Sequence, residues 1–285
     1  MKNLNASKRA GVIVLVMLIG VAAGAHARGL TRTFDAKEMV KINTISGDCI
    51  IRKGEPGKII VEVDAHYTPY DSFEPKIRER ANSIVIDEKF YGSSSGDSDW
   101  IITVPDGTRI RFSSASGDFE AHDLKGDFTV SVASGEILLT NCEGEFDLSS
   151  ASGDVVLEDC RGDFSASSAS GRVEGEGVTL TQSSSFSAAS GDVDLRLAAS
   201  PDWGLAVSSA SGKALLNFGG NPIKGYFEFV AKEGKGRIIS PIDFDGEEVF
   251  RRHGDRYIAK AFTRGEDKPE ILIETASGKA ELREK

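Results

Sequence analysis

The side chains best placed for chemistry are carboxylates that recur at fixed intervals directly after glycine. Carboxylates stacked on strands about 4.8 Å apart repel one another, and a bound Ca²⁺ would relieve that repulsion through oxygen ligands. An acidic calcium ladder is therefore one hypothesis. Solvated turn carboxylates that accept local hydrogen bonds are the interpretation we favour, because acidic side chains commonly bind turn backbone. The two ladders are Asp118, Glu136 and Asp154, and Asp127, Glu145 and Asp163.

Other catalytic groups are sparse in the sequence. His66, His122 and His253 lie far apart, and none has a second His or Cys at the spacing of zinc ligands. The many serines have no evident partner base and no Gly-x-Ser-x-Gly motif. We therefore predict no catalytic residue and no cofactor, and we interpret the chain as non-enzymatic. A polysaccharide-acting enzyme that uses Asp118 and Asp154 is the alternative.

Both ladders belong to a repeat of 18 residues that contains Ala-Ser-Gly. Each unit has two nine-residue halves with the pattern Gly, acid, apolar, x, apolar, and this alternation indicates a short strand with one buried face. Two strands and two tight turns make a flattened coil, and stacked coils share a continuous core between parallel sheets. The repeated glycines are Gly117, Gly135, Gly153 and Gly171, followed after longer steps by Gly191 and Gly212.

We interpret Ala-Ser-Gly as the corner of each coil. Its Gly would adopt backbone conformations that other residues avoid, and the Ser directly before it would bind turn backbone groups. The apolar columns predict a buried row of Phe128, Phe146 and Phe164. Cys142 and Cys160 occupy equivalent positions on successive repeats. Two buried thiols are the interpretation we favour there, and a disulfide is the alternative.

The pattern extends to both ends of the chain, interrupted by insertions. Residues 34–107 contain an N-terminal coil and a β insertion, with predicted strands at 59–63, 83–86 and 100–104 and a short helix from Ser72 to Arg80. Residues 219–285 contain an irregular basic insertion and a last coil. The predicted fold is all-β: a parallel β-solenoid of flattened two-strand coils, with irregular β insertions capping the ends of a central array at 108–218. Residues 28–285 would form this single domain.

The N-terminus has the pattern of a secretory signal peptide. Basic residues precede an apolar run at 10–23, and Ala25-His26-Ala27 resembles a cleavage site. We predict removal of residues 1–27, export to the periplasm or surface of a bacterium, and no transmembrane segment after cleavage; an uncleaved anchor is the alternative. The formal net charge of −10 disfavours nucleic acid as a partner.

Taken together, these motifs resemble those of a bacterial putative-adhesin family of unknown function. The resemblance covers residues 34–282 and rests on the Ser-Gly-Asp-apolar-x-apolar repeats, the strand that ends in Val104-Pro105, and the closing segment from Thr275 to Gly278. It implies a β-solenoid in exported or envelope proteins, often without enzymatic activity, and it supplies no defined binding residues. We therefore expect an adhesin-like or scaffold module that presents a rigid surface to an envelope protein, a glycan or another copy of itself. A Ca-binding module similar to a β-roll remains an alternative.

Overall fold

The chain winds into stacked β-coils, each of which gives one strand to a front sheet and one to a back sheet. A computed structural model describes residues 29–285, so the predicted signal peptide at 1–27 lies outside the described part. Every coil buries the inward side chains of both strands, which build one core along the stack. The predicted parallel β-solenoid is confirmed. In residues 29–285, no helix has the length and apolar character needed to cross a membrane.

The N-terminal region forms a complete coil and a cap. Its strands are β1 (Leu30–Asp35), β2 (Met39–Ser46), β3 (Cys49–Lys53), β4 (Lys58–Thr68), β5 (Phe73–Glu79), β6 (Ser83–Phe90) and β7 (Ser95–Val104), with a 3₁₀ turn at Tyr70–Ser72. The predicted strands lie in β4, β6 and β7. The predicted helix from Ser72 to Arg80 is wrong. Phe73, Pro75 and Ile77 are buried at every second position, which is the period of a strand.

The central array follows in regular order. Its front strands are β8 (Arg109–Ser116), β10 (Phe128–Ser134), β12 (Glu143–Ser150), β14 (Arg161–Ser168), β16 (Ser184–Ala188) and β18 (Leu205–Ser209). Its back strands are β9 (Phe119–His122), β11 (Ile137–Thr140), β13 (Val155–Glu158), β15 (Val173–Leu180), β17 (Val193–Leu197) and β19 (Lys213–Asn217). Each pairs in parallel with the equivalent strand of the next coil, so residues of one column lie side by side.

The C-terminal region completes the stack with β20 (Gly225–Lys232), β21 (Arg237–Ile239), β22 (Gly246–Arg252), β23 (Asp255–Arg264), β24 (Glu270–Thr275) and β25 (Lys279–Arg283). The last coil in sequence, β24–β25, lies between the array and the coil β20–β21. The first coil, β2–β3, is enclosed in the same way between β6–β7 and β8–β9. Antiparallel strands β5, β4 and β1 cap one end, and β23 and β22 cap the other.

The predicted phenylalanine row is the clearest column of the core. Phe128 stacks on Phe146 with ring centroids 5.4 Å apart, and Phe146 stacks on Phe164 at 4.7 Å, with the planes nearly parallel. All three rings are almost fully buried. The stacking follows directly from the register, because Phe146 lies opposite both neighbours on parallel strands. Burial of each such ring removes apolar surface from water and stabilises the coil.

Glycine is required at the corners chiefly because successive coils pass very close to one another. A Cβ on Gly153 would lie 1.7 Å from the carbonyl oxygen of Gly135, and a Cβ on Gly171 would lie 2.1 Å from that of Gly153. Positive φ, which we predicted as the reason, occurs in this column at Gly47 (119°) and Gly117 (146°). Along the rest of the array the close approach of backbones excludes any side chain.

The corner hydroxyls that bind backbone belong to a different Ser column from the one predicted. Ser168, three residues before the corner Gly, donates to the Gly153 carbonyl at 2.9 Å and accepts from the Gly171 N–H at 2.9 Å. Ser150 and Ser209 make the same pair of bonds. Each buried Ser therefore ties its own corner to that of the preceding coil.

Candidate functional site

The first acidic ladder lies along one edge of the stack. Asp118, Glu136 and Asp154 precede strands that pair in register, so they occupy equivalent positions on three successive coils. The Glu136 N–H donates to Asp118 Oδ1 at 2.8 Å, and the Arg172 N–H donates to Asp154 Oδ1 at 2.7 Å. The Arg172 guanidinium also binds Asp154 Oδ2 at 2.9 Å. Asp118 and Asp154 thus each accept a hydrogen bond from the backbone of the next coil.

Burial and crowding within this ladder both act on Glu136. Burial raises the pKa of Glu136 above its usual value, and the neighbouring charges of Asp118 and Asp154 raise it further. This is the repulsion expected for like charges on adjacent coils. Across residues 29–285, no three His, Cys, Asp or Glu side chains are grouped so as to hold a metal ion.

The second ladder lies on the opposite edge, at the start of the front strands. Glu145 is directly opposite Asp163, and Asp127 directly precedes Phe128, the partner of Phe146. Glu145, Asp147 and Asp163 line an open hollow of about 480 Å³ together with serines 183–185. The structure thus places the three members of each predicted ladder at equivalent positions on successive coils.

The outer side of the front sheet carries a long depression, which we call the front trough. Two adjoining cavities of about 650 and 640 Å³ form it, and they share Ser150 and Ala169. Its floor consists of a Ser column four residues before each corner Gly and an Ala column two residues before it. These residues are Ser113, Ser131, Ser149, Ser167, Ser187 and Ser208, with Ala115, Ala133, Ala151, Ala169, Ala189 and Ala210.

The C-terminal cap ends the trough with larger side chains. Tyr257 and Glu274 line the cavity, and the Phe250 ring stacks on Tyr257 with centroids 5.8 Å apart. The Arg252 guanidinium lies 5.3 Å from the Tyr257 centroid and forms an ion pair with Glu274. Val230, which lies opposite Glu274 in the outward row of β20, is buried. An aromatic ring beside a guanidinium and a carboxylate offers both apolar and hydrogen-bonding contacts to a ligand.

The N-terminal cap carries a similar combination of groups. Asn43 lines the other end of the trough and donates to Asp87 Oδ1 at 2.7 Å. The Lys89 ammonium lies 4.2 Å from the ring centroid of Tyr91, which is exposed. Sequence reasoning missed the C-terminal end of the trough, because Tyr257 and Glu274 are distant in sequence from the Ser and Ala columns.

The cysteines and histidines do not assemble into a reactive group. Cys49, Cys142 and Cys160 are free, buried thiols, in agreement with the interpretation we favoured. The hydrogen bond with Cys142, together with burial, raises the pKa of the Cys160 thiol, so little nucleophilic thiolate forms. The histidines remain apart on β4, on β9 and in the turn between β22 and β23.

Comparisons with known proteins relate this chain to a domain family and to several solved structures. The family described as Toastrack DUF4097 matches residues 92–224. A putative adhesin from Bacteroides fragilis is 15% identical with a TM-score of 0.48, and the alignment covers 90% of this chain and 97% of that one. For a putative adhesin from Parabacteroides distasonis the values are 9%, 0.43, 91% and 97%. For a putative cell adhesion protein from Clostridium sporogenes they are 12%, 0.26, 91% and 100%. No curated protein matches significantly.

Proposed function

We propose that the chain is a non-enzymatic, adhesin-like binding module of the bacterial envelope that holds an extended glycan along the front trough. One observation carries this proposal. The cavity of about 650 Å³ at the C-terminal end joins a row of Ser hydroxyls and Ala methyls to Tyr257 and Glu274. Sugars present apolar ring faces and hydroxyls, which match an aromatic ring and a carboxylate beside it.

The shape of the trough supports a long ligand rather than a small molecule. Its Ser and Ala columns repeat at the spacing of parallel strands, about 4.8 Å, so each coil offers the same contacts to successive units of a polymer. The backbone beneath is tied from coil to coil by buried serines such as Ser168. A rigid, repeated surface loses little conformational entropy on binding.

The acidic residues support a binding role more than a catalytic one. Asp118 and Asp154, the predicted candidates for hydrolysis, each accept a backbone N–H from the next coil. Export to the envelope rests on the signal-peptide pattern of residues 1–27. The periplasm or the cell surface would supply the glycan. The thiols of the chain are buried, so the chain would tolerate an oxidising compartment.

The test is binding of the purified protein to glycan arrays and to isolated cell-wall polysaccharide. Tyr257→Ala removes the aromatic wall, and Ala210→Lys fills the trough. Each should weaken binding by about tenfold or more. Leu138→Lys is the matched control, since it adds the same charge on the outer side of the back sheet. Full binding by both trough variants would refute the site, whereas hydrolysis of the bound glycan would favour the enzymatic alternative. Selective binding to an envelope protein would replace the glycan as partner.

A further inference from the structure

The front sheet ends at its C-terminal side in an uncovered strand. β22 pairs only with β23, and six of its seven residues are exposed. Two other outer strands are protected against further pairing. β5 contains Pro75, which has no N–H to donate, and β21 has only three residues. β22 has neither protection, and Val249 at its centre is 44% exposed.

The charges of β22 are arranged for pairing with itself. Its sequence is Gly-Glu-Glu-Val-Phe-Arg-Arg, with two acids before the apolar centre and two bases after it. A parallel second copy would set Glu beside Glu and Arg beside Arg, which is unfavourable. An antiparallel second copy sets each acid near a base. We propose that β22 is a dimerisation edge, at which a second copy of this chain adds its own β22 antiparallel to the first.

The hairpin geometry fixes the register of this pairing. β22 and β23 are joined by His253 and Gly254, which have φ of 51° and 87°, as in a two-residue type I′ turn. The flanking pair Arg252–Asp255 is then hydrogen-bonded, and bonded pairs alternate along the ladder. The N–H and C=O groups of Glu247, Val249 and Arg251 therefore point to the free edge.

Symmetry selects the same residues. A two-fold axis between antiparallel strands is perpendicular to the sheet, so opposed residues lie on the same side of it. Val249 then lies opposite Val249 of the second copy, and Glu247 lies opposite Arg251 of the second copy. All the free N–H and C=O groups of Glu247, Val249 and Arg251 are paired in this register. Glu247 also contacts Lys260 at 3.0 Å, and this ion pair lies on the same side of the sheet.

The dimer should be reversible. A single strand pair buries less surface than the roughly 1,000 Å² expected of a stable interface, so association depends on protein concentration. The axis also sets the front sheets of the two copies side by side, facing in the same direction. This arrangement is independent of any ligand in the trough.

The first measurement is the mass of the purified protein by sedimentation over a wide concentration range. The wild type should move from monomer towards dimer as concentration rises. Glu247→Arg and Arg251→Glu should each weaken association about tenfold or more, because they place like charges opposite each other. Arg161→Glu makes the same charge change as Arg251→Glu at an exposed position of β14 and should leave association unchanged. Circular dichroism checks that all variants fold.

The decisive measurement mixes the two variants. Glu247→Arg carries only bases at the two positions and Arg251→Glu only acids, so the mixture should restore dimer that neither forms alone. In addition, Val249→Cys should form a disulfide-linked dimer on oxidation, because opposed Cα atoms about 5.5 Å apart are within disulfide range. A wild type that remains monomeric at every concentration, or a mixture that fails to associate, would overturn the proposal.

Discussion

The central array and the two caps differ in how their strands pair and in which residues the pairing brings together. In the array, every strand is parallel to its neighbours, and equivalent residues stack in columns, as Phe128, Phe146 and Phe164 do. In the caps, antiparallel strands bring unlike residues together, such as Phe250 with Tyr257 and Arg252 with Glu274. Large exposed apolar side chains are found in both caps, for example Tyr91 and Val249, and in one turn of the array, at Trp203.

This difference shows where chemical variety can arise in a repeat fold. A column in the array must accept the same kind of residue at each step of about 4.8 Å, because each side chain contacts its own counterparts. Like charges in such a column repel, and the charges of Asp118 and Asp154 add to the effect of burial in raising the pKa of Glu136. The caps are free of that restriction. An aromatic ring, a base and an acid can therefore be combined at the C-terminal end of the trough, next to the Ser and Ala columns.

The largest effect should come from removing a ring of the array. Phe146→Ala leaves a cavity between two stacked rings and should reduce the free energy of unfolding by about 4 kcal/mol. Phe250→Ala in the C-terminal cap removes a ring that stacks on one side only and is partly exposed, so its loss should be below about 1 kcal/mol. Denaturant unfolding monitored by circular dichroism measures both. Equal losses would show that the array and the caps do not differ in packing.

The next largest difference in stability should be between alanine substitutions at two glycines. Gly153→Ala places a methyl group where the Gly135 carbonyl oxygen lies, and forcing the coils apart should cost about 3 kcal/mol. Gly246→Ala on β22 meets no atom within 4 Å and should change stability by less than about 0.5 kcal/mol. Thermal unfolding of the two variants provides the comparison. A well-tolerated Gly153→Ala would mean that the coils can separate at little cost.

The array could be predicted well because the period of its repeat can be read directly from the sequence. Equivalent residues such as Phe146 and Phe164 are a constant distance apart in sequence, so their contact follows from counting. The details of the corner did not follow. A single coil does not reveal that the Gly153 backbone passes against that of Gly135, nor that the bonding hydroxyl belongs to Ser168 rather than Ser170.

The C-terminal end of the trough was beyond prediction for a topological reason. Glu274 reaches the Tyr257 cluster because β24 inserts between β18 and β20, and no local pattern encodes that insertion. The erroneous helix at 72–80 has a local cause, since the charged residues Lys76 and Arg78 between apolar ones also fit a helical surface. In the packed cap, residues of this segment are buried at alternate positions, which is the pattern of a strand.

The corner serines offer a comparison between the middle and the start of the stack. Ser168→Ala leaves the Gly171 N–H and the Gly153 carbonyl without their hydroxyl partner, which should cost about 1–2 kcal/mol. Ser114 is the equivalent residue nearer the N-terminal cap, and its buried hydroxyl has no partner among the described residues. Ser114→Ala should therefore be neutral or slightly stabilising. Denaturant unfolding tests the pair, and a loss at Ser114 equal to that at Ser168 would contradict the assigned roles.

The smallest expected effect concerns the charge ladder and depends on pH. The pKa of Glu136 is raised in the folded state. The contribution of protonated Glu136 to the free energy of unfolding is therefore fully present below the usual Glu pKa of about 4.3. That contribution is lost as pH rises through the raised pKa. Glu136→Gln should accordingly melt slightly above the wild type at about pH 7, and this difference should vanish at about pH 3.5, where Glu136 is protonated.

Glu143 supplies the control of opposite sign for this change. The hydrogen bond from Lys125 and the Lys125 charge lower the pKa of Glu143. Its contribution is therefore present above the usual Glu pKa and is lost as pH falls through the lowered value. Glu143→Gln should melt slightly below the wild type at about pH 7. The melting temperatures of the two variants should therefore shift in opposite directions at neutral pH. A shift in the same direction would mean that the effect comes from losing any carboxylate, and not from the surroundings of Glu136.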